Sequence, residues 1–239
     1  MKAVDAAHRV VTREEWLRAR KEHLAKEKEF TRLRDELSRE RRDLPWLRVE
    51  KNYVFEGPKG KVSLAELFDG RSQLFLYHFM FGPDWKEGCP SCSFLSDHID
   101  AAWPHLIHHD VMVAAVSRAP LPKIEAFKKR MGWRFNWVSS HGNDFNRDYH
   151  VSFTKDEIAK GAMEYNYQIQ RFPSEEAHGA SVFVKDSSGE VFHTYSAYAR
   201  GIDLLNTAYN FLDLVPKGRD EEELEFTQAW VRHHDRYQD

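Results

Sequence analysis

Cysteine is nearly absent: the 239 residues contain two, Cys89 and Cys92. No network of disulfides can therefore hold the fold, and the core must come from apolar packing. Charge of one sign is also missing. Thirty-five Lys and Arg against 38 Asp and Glu leave a net charge of -3, so no basic field points to nucleic acid or an anionic membrane surface. The longest apolar run, near Leu74 to Phe81, is too short to span a bilayer, and the segment from Arg9 onward lacks an apolar signal core. The chain therefore reads as cytoplasmic. There is no phosphate-binding loop, no dinucleotide fingerprint and no Gly-x-Ser-x-Gly elbow, so nucleotide chemistry and serine hydrolysis have no motif to rest on. Ser139-Ser140-His141 with Asp144 is the nearest approach to a hydrolytic set. Internal repeats and low-complexity linkers are absent too.

What is present is an ordinary globular composition, 41% hydrophobic and 13% aromatic, which places many rings in the core. Thr12-Arg13-Glu14-Glu15 fits a capping box, and a charged helix should run from it to about Arg42, ended by Asp43-Leu44-Pro45. Its apolar stripe (Trp16, Leu17, Leu24, Phe30, Leu33 and Leu37) is too thin to make a core alone. We therefore expect an N-terminal helical extension over 1–45 that packs on the main domain or joins a homodimer.

Trp46 to Phe55 alternates like a strand, with a turn at Gly57-Pro58-Lys59-Gly60. Leu74 to Phe81 reads as a central strand buried on both faces. Ser93 to His108 reads as helix, Val111 to Val116 as strand, Pro122 to Met131 as helix and Phe135 to Val138 as strand. This alternation implies parallel pairing with crossover helices. After a less regular stretch, about 143–178, the runs Ser181 to Lys185 and Glu190 to Tyr198 flank Asp186-Ser187-Ser188-Gly189 as an antiparallel hairpin. A last helix is expected over Asp203 to Leu214, and 216–239 reads as a tail.

The two cysteines stand together in Gly88-Cys89-Pro90-Ser91-Cys92, between the central strand and the next helix. A C-x-x-C at such a junction is what dithiol–disulfide chemistry requires. The helix N-terminus favours a thiolate, lowering a thiol from ~8.5 toward ~7. Pro90 suits the first helical turn. Cys89 is then the nucleophile and Cys92, one turn on, the resolving thiol. Trp85 is placed to cover the motif, Ser91 lies in its spacer, and His78 is a titratable group in the adjoining strand that could tune Cys89 or bond a backbone carbonyl, or sit as a satisfied core histidine. A metal reading would add His78 and His98 to the two cysteines, yet no second C-x-x-C follows at finger spacing. His105 and His109, at i,i+4, read first as a solvated helix face. Arg118 reads as an anion contact or as surface charge. No cofactor and no metal is expected.

The order of elements resembles the thioredoxin superfamily over about Trp46 to Leu214. The whole chain resembles an uncharacterised bacterial thioredoxin-like family, known as domain of unknown function eight-nine-nine and provisionally called dithiol-disulfide oxidoreductases. The residues that carry this are Tyr77-His78-Phe79-Met80-Phe81-Gly82-Pro83-Asp84-Trp85, the cysteine motif, Val116-Ser117-Arg118-Ala119-Pro120, Trp137-Val138-Ser139-Ser140 and Phe192-His193-Thr194-Tyr195-Ser196. The resemblance implies a three-layer α/β/α sandwich with a central mixed sheet over 46–215. It implies thiol–disulfide exchange by Cys89 and Cys92, with a thiol or disulfide substrate and a thiol electron donor. Three departures qualify it. The spacer Pro90-Ser91 is nearer to glutaredoxins than to thioredoxins. Lys86 stands where peroxiredoxins carry Thr or Ser, which disfavours peroxidase chemistry. His178-Gly179-Ala180-Ser181 has no proline where thioredoxin-like proteins place a cis-proline facing the motif. The alternative is a non-catalytic protein that keeps the fold and assembles through its long helix.

Overall fold

The computed structural model describes residues 8–238. Helix α1, Arg13–Arg42, starts with the expected capping box: Thr12 Oγ1 accepts the Glu15 N–H at 3.2 Å, and the Glu15 carboxylate accepts the Thr12 N–H at 3.1 Å. At 1.5 Å per residue its length is about 45 Å, and it buries no residue at all. Trp16 and Phe30 remain 56% and 64% exposed, so the core owes nothing to this helix. Its C-terminal end is where it meets the domain. The Arg41 guanidinium lies 4.8 Å over the Tyr195 ring.

The body is an eight-stranded mixed sheet. Its strands are β1 (Leu47–Arg48), β2 (Val54–Gly57), β3 (Gly60–Ser63), β4 (Gln73–His78), β5 (Val111–Ser117) and β6 (Asn136–Ser139), then β9 (Gly179–Lys185) and β10 (Val191–Tyr198). A separate hairpin, β7 (Met163–Tyr165) with β8 (Gln168–Gln170), lies outside it. The order is β1-β10-β9-β4-β5-β6-β2-β3. β4, β5 and β6 are parallel, linked by α2 (Pro90–His108) and α3 (Leu121–Met131). β9 adds antiparallel to the other side of β4, with Leu76 opposite Ala114 on one side and Ser181 on the other.

Both faces of the sheet are covered. On one, Tyr77, Phe79, Val113, Ala115 and Trp137 pack against Cys92, Leu95 and Ile99 of α2 and Ile124, Phe127 and Met131 of α3. On the other, Leu74, Leu76, Met112, Ala114, Val116 and Phe183 meet Leu67 and Phe68 of a 3-10 turn, with Phe145 and Tyr149. Phe145 opens the short helix α4 (Phe145–Asp148) and Tyr149 is its C-cap. The second outer layer is thus assembled from short pieces rather than long helices. The remaining short helix of this region, α5 (Lys155–Lys160), carries a second capping box built on Thr154 and Glu157.

Three expectations change. Trp46 to Phe55 is not one strand: β1 pairs with β10 at one edge, while β2 pairs with β6 and β3 at the other. The polar stretch between them crosses the end of the sheet, where Lys51 is held by Asp144 and Asp148 at 2.9 and 2.7 Å. The strand expected over Leu74 to Phe81 ends at His78, although backbone bonds persist beyond it through Phe79 N–H to Val116 O and Ala119 N–H to Phe81 O. The helix expected over Asp203 to Leu214 is two pieces, a 3-10 helix at Ala199–Leu205 and α6 at Thr207–Leu212, separated by buried Asn206 with φ -79° and ψ 81°. Past α6 the chain returns to the domain, burying Val231 and His233.

Candidate active site

Beyond β4 the chain turns through residues 82–88 and doubles back on itself. The Met80 peptide fixes the return: its carbonyl accepts the Cys89 N–H at 3.1 Å, and its N–H donates to Cys92 Sγ at 3.4 Å. Two glycines permit the close approach. A Cβ on Gly88 would fall 2.6 Å from Phe79 Cε1 and 2.8 Å from Phe127 Cε1, and one on Gly82 would fall 2.8 Å from Trp85 Nε1. Lys123 Nζ donates to the carbonyls of Pro83 and Trp85 at 2.6 and 3.2 Å, closing the turn from outside. The returning C-terminal segment closes it from below. His233 Nε2–H donates to the Gly88 carbonyl at 2.9 Å, and Arg130 gathers Glu87 and Asp235 around the same loop.

Cys89 is the N-cap of α2 and Pro90 follows at its first position. Both cysteines are free thiols, Cys89 half-buried and Cys92 buried. Their environments push them apart. The Cys89 thiol is lowered to about 7, first by the hydrogen bond from Cys92, then by the backbone N–H groups of Cys92 and Ser91 and the Ser91 hydroxyl, against the opposing pull of burial. Cys92 is raised well above the ordinary thiol value, first by burial and then by its partner sulfur. Two like groups with opposite shifts are the arrangement that separates an attacking group from a proton-holding one.

Ser91 and Trp85 therefore stand by the motif. Ser91 contributes directly to the Cys89 thiolate, while Trp85 folds onto Gly82 and packs on the same aromatic cluster as Cys89. His78 does not join them: its placement beside Cys89 is corrected, and it sits in the core instead. Successive strand side chains point to opposite faces, and Tyr77 is the one that reaches the cysteines: its hydroxyl hydrogen-bonds Cys92. His78 lies on the far face, stacked on Phe145 and Tyr149 with centroids at 5.7 and 5.8 Å. Its Nε2 meets Ser181 Oγ at 2.8 Å, and a buried chain continues through Ser196 Oγ to His193. Complete burial drops its pKa to about 3.

The other candidates are used elsewhere. His98 Nε2 accepts the Ala208 N–H, so His78 and His98 do not converge on the cysteines. Among the described residues no group of three or more His, Cys, Asp or Glu is placed to hold a metal ion. His105 and His109 are exposed at the end of α2. Ser139 Oγ donates to Ala119 O and Ser140 Oγ to Asn146, while His141 Nδ1 faces the Arg118 carbonyl, so no hydroxyl–imidazole pair forms there. Arg118 is ion-paired with buried Glu176 at 2.8 Å.

Two groups escaped the sequence. Tyr77 was hidden in an apolar run buried on both faces, where alternation carries no signal. His178, in the loop before β9, lines a cavity of about 50 Å³ with Tyr77, Met80, Ser91 and Cys92. Among the described residues there is no cis peptide bond, and His178 opens the stretch His178-Gly179-Ala180-Ser181, in which the resemblance would have put a proline.

The sequence matches the profile of a bacterial protein family of unknown function, DUF899, over residues 5–237. The chain belongs to this family. No curated protein matches it. Solved structures similar to this DUF899 protein include a mutant of Xanthomonas campestris peroxiredoxin Q, at 15% identity and TM-score 0.48, covering 71% of this chain and 98% of that one. Peroxidoxin BcpB from Mycobacterium tuberculosis matches at 10% identity and TM-score 0.45, covering 69% and 93%. The mitochondrial 2-Cys peroxiredoxin of Plasmodium falciparum matches at 14% identity and TM-score 0.42, covering 70% and 94%. The fold itself is thioredoxin-like: parallel β4, β5 and β6 joined by α2 and α3, an antiparallel β9–β10 hairpin on the other side of β4, and the C-x-x-C after the central strand. Among the described residues no helix is long and apolar enough to cross a membrane.

Proposed function

We propose that this DUF899 protein is a cytoplasmic thiol–disulfide oxidoreductase. The observation that carries the reading is the divergence of the two thiols: Cys89, half-buried at the N-cap of α2, is lowered to about 7, while buried Cys92 is raised. Cys89 attacks a disulfide, forming a mixed disulfide and releasing one thiolate. Cys92 then attacks Cys89 Sγ, closing the ring and releasing the second. Electrons return from another thiol, and the step calls for no bound cofactor. Peroxide reduction is disfavoured, because Lys86, three residues before Cys89, stands where the resemblance to peroxiredoxins would put Thr or Ser.

The test is redox titration of the purified protein followed by mass. The expected result is a reversible loss of two hydrogen atoms (two protons and two electrons, the electrons passing to the disulfide that is reduced) as Cys89 and Cys92 join, with disulfide exchange abolished in Cys89→Ser. A Cys89→Ser protein that keeps the cellular function would instead favour the assembly reading, which rests on α1 burying no residue.

A further inference from the structure

The cavity beside Cys92 is walled by polar groups from separate parts of the chain: His178 before β9, Asp203 and Asn206 around the 3-10 helix break, Gln228 from the returning segment, and Ser91 of the motif. Its volume of about 50 Å³ exceeds the roughly 10–15 Å³ that one water needs on this measure. Asn206 is only 4% exposed, and its Oδ1 has no hydrogen-bond partner from the protein. A buried carbonyl oxygen facing a polar cavity calls for a donor, and water is the donor that fits.

We propose that this cavity holds a water linking Cys92 to His178, and that His178 is the proton acceptor when Cys92 resolves a mixed disulfide on Cys89. The inference rests on the exchange reading above. The step balances: the Cys92 S–H proton passes through water to His178, the new sulfur–sulfur bond forms between Cys92 and Cys89, and the bond from Cys89 to the substrate sulfur breaks. The substrate sulfur leaves as thiolate with the bonding pair.

His178 suits the role on three counts. The Ala199 backbone lies where it can accept from one ring nitrogen and raises the ring's proton affinity, while the other nitrogen can serve as acceptor. Burial holds its pKa below the usual imidazole value, so it is neutral near pH 7. Of the charged groups around it, Asp203 favours its protonation, against the burial that opposes it. Asp203 is the carboxylate on that side, and its oxygen is engaged by Arg200 at 3.2 Å and Arg219 at 3.4 Å. It can offset an imidazolium but has lone pairs already committed. Tyr77 from β4 and Cys92 from α2 line the same space. Tyr165 of β7 spends its hydroxyl proton on the His178 carbonyl. No other group lining the cavity is a free base.

The experiment uses the full chain, reduced, mixed with excess dithionitrobenzoate in a stopped-flow instrument. The first coloured thiolate reports attack by Cys89 and the second reports resolution by Cys92. In the wild-type protein the second phase should be nearly flat from about pH 7 to 9. His178→Gln, which can hold the Ala199 bond but cannot take the proton, should slow the second phase about tenfold or more at pH 7. In that variant the rate should climb about tenfold per pH unit, with the first phase unchanged. Asn206→Leu, which fills the cavity and leaves His178 in place, should reproduce the effect. A wild-type second phase that itself climbs tenfold per pH unit overturns the role of His178, and this reading holds even if a variant does not fold. A His178→Gln protein matching wild type at every pH overturns it too. No second thiolate from wild type overturns the exchange reading beneath it.

Discussion

Removing the sulfhydryl of Cys92 tests the electrostatics of the site most directly. The Cys92 hydrogen bond is the largest single cause holding the Cys89 thiol down at about 7. Hydrogen bonds to charged acceptors are worth about 1.5–3 kcal/mol, and a thiol is a weak donor, so the low end applies. At about 1.36 kcal/mol per pK unit this is roughly one unit, moving the Cys89 midpoint in Cys92→Ala from about 7 to about 8. The rate at one pH would mislead. At pH 7 the thiolate fraction falls about fivefold, but nucleophilicity rises about threefold with a Brønsted slope of about 0.4–0.5. Alkylation at pH 7 should therefore slow only about twofold, while the alkaline plateau rises about threefold, and the two rate curves must cross. Cys92→Ser keeps a hydroxyl donor and should stay within about half a unit of wild type. Cys92→Val fills the space with methyls and prevents water from replacing the lost donor. The assay is iodoacetamide labelling of Cys89 across pH, read by mass. A Cys92→Ala midpoint equal to wild type, or curves that never cross, would refute the account of how Cys89 is activated.

Two further outcomes follow from burial. His78 is held neutral by burial, with a folded pKa of about 3, below the ordinary imidazole value of about 6.5. Its contribution is therefore present above about pH 6.5 and is lost as pH falls toward 3, at about 1.4 kcal/mol per pH unit. His78→Phe, which keeps a ring between Phe145 and Tyr149, should flatten the fall in urea stability over that window; parallel curves would refute the assignment. Deleting the chain through Asp43 should leave the urea midpoint of the remainder unchanged, because α1 buries no residue. If the protein pairs through α1, the deletion turns a dimer into a monomer by sedimentation, and an unchanged number of subunits rejects that homodimer.

The parallel β4–β5–β6 unit was legible because its strands are apolar runs separated by helices with clear ends, such as Gly132 at the left-handed C-cap of α3. The same runs concealed which side chain faces the motif. Leu76, Tyr77 and His78 are all at most 1% exposed, so nothing in their polarity distinguishes one face from the other. Trp46 to Phe55 alternates locally, but the partners that divide it lie at opposite edges of the sheet, which is a property of topology and not of alternation. The break at Asn206 is likewise tertiary: the Asn206 N–H closes a turn onto Asp203 O while its side chain faces the cavity by Cys92. The positions of the two cysteines were readable from spacing alone. The histidines near them were not, since a lone histidine states nothing about the face it will occupy.

The clasp between His233 and Gly88 joins points 145 residues apart in sequence. The same far segment supplies Gln228 to the cavity wall and Asp235 to Arg130. During synthesis the cysteine pair leaves the ribosome long before these residues do. At a typical ~5–20 residues per second, the gap is on the order of ten to thirty seconds. Throughout that interval the motif loop has neither its floor nor its closing hydrogen bond. The nascent chain therefore presents the motif loop before this far segment can close over it.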